Sequence, residues 1–542
     1  MQTYDYIVIG GGTAGCVMAN RLSADPQVQV LLLEAGGPDD YMWIHIPVGY
    51  LYCIDNPRTD WRYRTEAEPN LNGRSLLYPR GRVMGGCSSI NGMIYMRGQR
   101  QDYDQWAAMG CAGWGWDAVL PYFLKSEDHH AGTSPQHGAG NELRVERQRL
   151  SWEILDAFQS AASQAGIPSV NDFNTGDNFG CSYFEVNQKR GVRWNAAKAF
   201  LKPIAHRRNL TIITGAVVQQ LDLDADMTCT GVTCLIKGHT QSFKARSEVI
   251  LSAGSVNSPA ILERSGIGRA EVLAQAGVAC KVDSRGVGEN LQDHLQLRMA
   301  FHVQGVPTLN EQVHSVIGKG KMGLQYLFNR SGPLSMAPSQ LGCFAKTASS
   351  PDRANVQYHV QPLSLDKFGE PLHRAPAFTA SVCHLRPSSR GQIHIRDADI
   401  DSAPRIAPNY LSTEHDRQVA VEAIELTRRI VSQSALNRYK PQEFMPGPNA
   451  QTPEQLVEAA SRIGTTIFHP VSTCRMGPEG DDAAVVDTRL RVRGVRGLRV
   501  VDASIMPTIT SGNTNAPTVM IAEKAADMIL DERTRQVSPN PH

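Results

Sequence analysis

The chain has 542 residues, more than a single hydrophobic core usually serves, so two structural units are expected. Charged residues make up 20% and hydrophobic residues 41%, the balance of an ordinary globular enzyme. A formal net charge of +1 gives no reason to expect DNA, RNA or an acidic membrane as partner, which leaves small molecules.

The first residues, Tyr6-Ile7-Val8-Ile9, form a short apolar run, with no basic stretch and cleavable leader ahead of it, so no secretory signal is expected. A glycine turn follows at once. Ala14, Val17, Met18, Ala19 and Leu22 then repeat as the packed face of a helix. Val28 to Leu33 is a nearly continuous apolar run, as in a parallel strand covered on both faces, and it ends in Glu34. Strand, turn, helix and strand open a doubly wound, Rossmann-like α/β domain.

Gly10-Gly11-Gly12-Thr13-Ala14-Gly15 fits the dinucleotide pattern GxGxxG at the turn. Gly10 permits the tight turn, Gly12 lets a pyrophosphate reach the backbone, and Gly15 lets helix and strand pack closely. The helix amides behind Thr13 and Ala14 face the phosphates. About 20 residues on, Glu34 is placed to accept hydrogen bonds from ribose hydroxyls. A bare motif of this kind is compatible with a ligand-free glycine turn; its setting between strand, helix and acidic residue argues for a nucleotide. It does not separate FAD from NAD.

Further strands of the same sheet are expected at Leu210–Ile213, Val249–Ala253 and Leu498–Val501, with a helix from about Pro517 to Leu530. The cofactor domain is therefore discontinuous. Residues 1–150, 191–300 and 455–530 are assigned to it, and 151–190 and 301–454 to a substrate-binding α+β unit. That unit is expected on an antiparallel sheet, because 301–454 is richer in aromatics, prolines and alternating patterns such as Gln392-Ile393-His394-Ile395. Residues 531–542 are polar and expected to be disordered. No apolar run is long enough to span a bilayer. The 11 cysteines stand singly, without CxxC spacing, which suits a reducing compartment and a cytoplasmic enzyme. His129, His130 and His137 lack partners at metal-ligand spacing and read as loop residues, so no metal site is expected.

Two long segments decide what the nucleotide is. Gly81-Arg82-Val83-Met84-Gly85-Gly86-Cys87-Ser88-Ser89-Ile90-Asn91-Gly92-Met93-Ile94-Tyr95 and the run Gly254 to Gly268 resemble the two signatures of the glucose–methanol–choline (GMC) oxidoreductases, and Gly286 to His294 resembles a further family block. The resemblance implies FAD. In the first segment Gly85 and Gly86 allow close backbone approach, and Ser88, Ser89 and Asn91 offer short polar groups. It further implies cofactor contacts from Arg82, Gly92, Met93, Val217, Ala253, Asp502, Ala503, Asn513 and Thr514. Some relatives attach FAD through a histidine at the position of Ile90, so here a dissociable FAD is expected.

His469-Pro470-Val471-Ser472-Thr473-Cys474 resembles the family's catalytic-histidine motif, with Ser472 where glycine is commoner, and Asn513 matches its second catalytic position. The resemblance implies His469 as base and Asn513 as positioner at the reactive edge of the flavin. Imidazole has the basicity to take a hydroxyl proton near neutral pH, whereas a carboxamide can only orient the substrate. The expected reaction is oxidation of a small alcohol to its aldehyde, with electrons passed to a quinone or other acceptor. An oxygen-using oxidase, a choline dehydrogenase, a hydroxynitrile lyase and a light-driven decarboxylase are the alternatives on this fold. Choline-oxidising relatives tend to have a glutamate near Ser339 to Phe344; Gln340 is neutral, which favours an uncharged primary alcohol. Oligomeric state is not legible.

Overall fold

The computed structural model describes residues 2–366 and 370–537. Its first seven-stranded sheet is built around β1 (Gln2–Ile9) and β2 (Val30–Glu34), with helix α1 (Thr13–Leu22) between them. β1 and β2 pair in parallel, β2 pairs with Leu210–Thr214, and the other edge of β1 pairs with His239–Leu251. Leu498–Val500 adds in parallel beyond that strand. Every residue of β2 is buried, which explains why its apolar run does not alternate.

The strand expected at Val249–Ala253 is longer and starts earlier. Its first half, from His239, pairs antiparallel with Cys229–Ile236, which pairs in turn with Ala216–Leu223, and its last residues join the parallel core. Ser252 and Ala253 leave the sheet, and Ala253 caps the helix Gly254–Arg264.

The last helix also exceeds its expected bounds, running Asn515–Val537. Residues 531–537 are thus helical, contrary to the expected disorder, while 538–542 lie outside the described residues. Polar character misled here because the charges are paired: Glu532 accepts from Arg489 and Arg499, and Arg533 reaches Asp25 at 3.0 Å.

The second sheet, also seven-stranded, is antiparallel. Its order runs Gln442–Met445, Leu295–His302, Ala377–His384, Val356–Gln361, Leu341–Ala345, Gly180–Tyr183, with Gly464–Thr466 on the far end of Leu295–His302. Two of these strands cross the expected segment boundaries, since Leu295–His302 begins before residue 301 and Gly464–Thr466 follows 454. The alternating run at Gln392 lies outside this sheet. Gln392–His394 pairs with Arg405–Ala407 as a separate ribbon, held to the cofactor side by His394 and Ile395 on the Glu263 carboxylate. Each sheet has its own hydrophobic core.

Candidate active site

A continuous cavity lies between the two sheets. Gly10, Gly12, Thr13, Ala14, Glu34, Gly86, Asn91, Gly92, Met93, Val217, Ala253, His469, Asp502, Ala503, Asn513 and Thr514 all line it. Gly15, Arg82, Gly85 and Ser89 do not face it. Gly15 serves packing, since a Cβ there would stand 1.8 Å from the Gly10 carbonyl oxygen. Gly85, at φ +88°, and Ser89 build the loop from behind: the Ser89 hydroxyl donates to Met84 O and accepts from Asn195. The Arg82 guanidinium stacks over Trp61 at 4.6 Å.

At the nucleotide end, Gly12 and Gly86 meet across the cradle. A Cβ on Gly86, whose φ is +53°, would stand 2.7 Å from the Gly12 Cα. The backbone is bare here on two facing loops, as a diphosphate lying along them requires. Glu34 accepts from the amides of Gly11 at 2.8 Å and Gly36 at 2.7 Å, and its burial pushes the carboxyl up to about 7. Asp502 is likewise buried and raised by burial, and it accepts from Gly254 N, Ser258 Oγ and both Ser504 donors. The last helix starts at the same cavity. Thr514, Asn515 and Thr518 line it, and Thr13 Oγ1 donates to Asn515 Oδ1 at 2.9 Å, tying the two helix N-termini together. These residues fit FAD: Gly12 to Ala14 would hold the diphosphate, Glu34 a ribose, and Asn91 to Met93 the far end.

At that far end a hydrogen-bond chain can be read in one direction. His294 Nε2 stands 3.0 Å from the carbonyl oxygen of Leu385, an obligate acceptor, so this nitrogen carries the proton. Burial holds His294 down to about 4, so it is neutral and its Nδ1 is an acceptor. The partner of that Nδ1 is His469 Nδ1 at 3.1 Å, which must donate. His469 Nε2 is then an unprotonated acceptor, 3.1 Å from the Asn513 carboxamide nitrogen, while Asn513 Oδ1 accepts from Gln357 at 3.2 Å. Burial, reinforced by His294, His359 and Arg80, pushes the His469 imidazole well below its ordinary range.

The backbone is fixed as firmly. Asp293 accepts from the amides of His294 at 2.9 Å and His469 at 2.8 Å, and its other oxygen accepts from Tyr410 and Thr466 hydroxyls. Ser472 has φ 77°, which explains why glycine is the commoner residue in this motif; here its hydroxyl accepts from Gln292.

Two expectations need correction. Gln340 does not line the cavity; it is fully buried and turns its amide onto the Ala337 carbonyl. Its neutrality therefore says nothing about substrate charge. The carboxylates that do line the cavity, Glu34 and Asp502, are both at the nucleotide end. His129 and His130 are not isolated loop residues either, because Glu185, distant in sequence, receives both Nε2 atoms at 2.9 and 2.8 Å. The Ala131 amide donates to His129 Nδ1, so His129 Nε2 bears the proton, and the cluster is a hydrogen-bonded staple. Sequence reasoning passed over His294, His359, Gln357 and Gln361. His294 alone carried a signal, closing the block Gly286 to His294.

A parallel sheet with a glycine cradle, joined to an antiparallel sheet carrying a buried neutral imidazole, defines an oxidoreductase built on a dinucleotide. Family models described as GMC oxidoreductase match residues 4–296 and 387–522. The chain is 40% identical to "Alcohol dehydrogenase [acceptor]" of Pseudomonas putida over 97% of its length and 96% of the relative. It is 39% identical to human "Choline dehydrogenase, mitochondrial", covering 97% and 89% respectively. Among solved structures, pyridoxine 4-oxidase from Mesorbium loti superimposes with a TM-score of 0.88 at 32% identity, covering 99% of this chain and all of that one. Formate oxidase gives 0.92 at 27% identity, covering 98% and 99%. The chain belongs to the GMC oxidoreductase family, and it is an FAD-binding enzyme.

Proposed function

We propose that the protein oxidises a small, uncharged primary alcohol to its aldehyde and passes the electrons to a quinone-like acceptor. FAD, when non-covalently bound in the cradle, supplies the acceptor for the carbinol hydride. The observation that carries the reading is the lone pair held on His469 Nε2 opposite the donor Nδ2 of Asn513. A hydroxyl placed between them donates to His469 and accepts from Asn513, so the pair matches both faculties of an alcohol oxygen. His469 then takes the hydroxyl proton as the carbinol carbon loses hydride. The start of the last helix directs its partial positive charge at the cavity and favours negative charge there.

The absence of a lining carboxylate from the substrate end, among the described residues, supports an uncharged alcohol over choline. The acceptor reading draws support from the Pseudomonas putida relative's name and from Ile467, which lines the cavity two residues before His469 and narrows the approach there. The solved relatives named as oxidases favour oxygen instead.

Anaerobic mixing with benzyl alcohol, a medium-chain alkanol and choline should bleach the flavin, fastest with the uncharged alcohols. His469→Ala should retain FAD and slow bleaching by about 10²–10⁴-fold. Bleaching of that variant at wild-type speed removes His469 as base, and a preference for choline overturns the substrate. Reoxidation by air as fast as by a quinone, with peroxide formed, makes the protein an oxidase.

A further inference from the structure

We infer that the protein docks on a lipid bilayer surface through the helix Val316–Asn329 and the neighbouring segment 42–54. The helix is held to the protein by Met322 and Tyr326, one turn apart and both buried. At about 100° per residue, Leu324, Leu327 and Phe328 project roughly half a turn away from them. There they are 59%, 62% and 76% exposed, where a helix on a water-facing surface carries polar residues. Pro333–Ser335 packs between this helix and Pro47–Gly49, so segment 42–54 adjoins it. That segment adds Met42, Leu51 and Tyr52, also exposed. Six of the eight large hydrophobic residues left exposed among the described residues fall on these two segments, which rules out random scatter.

The charge around the patch selects the occupant. From residue 312 to 345 the sequence has no aspartate or glutamate, but it has Lys319, Lys321 and Arg330. Beside segment 42–54, the carboxylates of Asp40 and Asp55 are paired with Arg58 and Arg62 at 2.8 Å. An apolar face flanked by Lys319, Lys321 and Arg330 matches the boundary between acyl chains and anionic headgroups. The overall charge of +1 conceals this local excess. No helix among the described residues is long and apolar enough to cross a membrane, so the helix lies on the surface.

The patch is also continuous with the active-site cavity. Tyr50 and Ile54 line that cavity, while Leu51 and Tyr52 between them face outward, and Pro338 just beyond the helix lines it too. An apolar alcohol or acceptor dissolved in lipid would thus meet the cavity without crossing bulk water. The docking stands on the surface alone and holds whichever acceptor the enzyme uses.

Flotation of the full-length holoenzyme with vesicles of phosphatidylcholine, with and without phosphatidylglycerol, tests it. Wild type should float with the vesicles, more with the anionic lipid and less at high salt. Combined Leu324→Ser, Leu327→Ser and Phe328→Ser should reduce partition at least about tenfold on both compositions. Lys319→Glu with Lys321→Glu should reduce it about fivefold or more on anionic vesicles only. Dye-linked turnover of a soluble alcohol should be unchanged in both variants, which shows that they are folded. Wild type that stays soluble at every composition overturns the proposal, as does a triple variant that floats equally well. A lipid-free dimer that the triple variant dissolves would assign the patch to a second copy of this chain and would overturn it too.

Discussion

Replacing His294 by leucine separates a base that is merely present from one held in the correct tautomer. In the native chain His469 Nδ1 donates to His294 Nδ1 at 3.1 Å, and this bond leaves the lone pair on Nε2. Leucine keeps the site apolar and filled but offers no acceptor. A neutral buried hydrogen bond is worth about 0.5–1.5 kcal/mol net. At about 1.4 kcal/mol per factor of ten, losing it removes roughly 2- to 12-fold of the reactive tautomer. Flavin reduction by a saturating alcohol, followed by stopped flow, should therefore slow by up to about tenfold with FAD still bound. His294→Gln, whose amide oxygen can accept, should recover part of the rate.

The pH profile gives a second readout that simple loss of packing would not move. The His469 imidazole is held well below its ordinary range, partly by His294. Only the unprotonated form can take a proton, so the wild-type rate should stay flat from neutral pH down past 6.5 and fall only in stronger acid. Without His294 one of the lesser causes of that depression is lost while burial, the largest, remains, so the fall should begin at somewhat higher pH. If His294→Leu alters neither the rate nor the acid limb, the tautomer is set by something else and the chain of donors is misread.

Gly86→Ala places a methyl group 2.7 Å from the Gly12 Cα at a φ that favours glycine, and should yield a colourless, folded protein with FAD affinity reduced at least about tenfold, measured by fluorescence titration. Unfolding the wild type in guanidinium should release all yellow colour through a filter, because Ile90 lines the cavity and offers no nucleophile; colour retained with the polypeptide means a covalent bond. In Glu34→Gln, which removes a carboxyl that at about 7 would protonate in the folded chain and offset the change by about 2 kcal/mol, stability should fall between pH 7 and 5. His294 and His359 are held neutral by burial, down to about 4 and about 3, so the unfolded chain binds protons in this window that the folded chain refuses. Each contributes about 2 kcal/mol of loss. His137 and His394, raised to about 9 by their carboxylates, are already protonated when folded and gain under 1 kcal/mol each over the same range. Denaturant melts of Glu34→Gln showing no loss at pH 5 would contradict the buried neutral state.

What the sequence revealed and what it hid follow from how far apart the partners lie. The turn Gly10–Gly15 and Glu34 belong to one strand–helix–strand unit, where local steric needs dictate residue type, and the structure brings Gly10, Gly12 and Glu34 to one cavity. Gly15, Arg82, Gly85 and Ser89 stand in equally glycine- or hydroxyl-rich runs yet face away, because a loop must be built as well as exposed. His294 and His469 are 175 residues apart and meet only because Leu295–His302 and Gly464–Thr466 are neighbours in the second sheet. Nothing local distinguishes His359, on a strand whose side chains alternate between cavity and core. Gln340 failed as a guide for the opposite reason: a resemblance spread over Ser339 to Phe344 does not fix which residue faces the cavity, and a shift of one strand residue turns a side chain to the other face. Polar composition misjudged the C-terminal helix because Arg489, Arg499 and Asp25 arrive from elsewhere in the chain.

The division of labour between the sheets accounts for the catalytic geometry. The parallel sheet supplies strand ends and helix N-termini, which bind phosphates and set a nucleotide's position through backbone atoms that need no particular side chains. Proton transfer needs the reverse, one side chain in one tautomer, and the antiparallel sheet supplies it. There Asp293 fixes the main chain of His294 and His469 together, while the Leu385 carbonyl fixes the direction of every hydrogen bond between them. His469 is thus oriented by one unit and, through Asn513 at the start of the last helix, presented to the other. An error in packing between the units would leave FAD binding intact and misplace only the base, so slow reduction with normal flavin content is the expected signature of substitutions at Asp293, Tyr410 or Thr466.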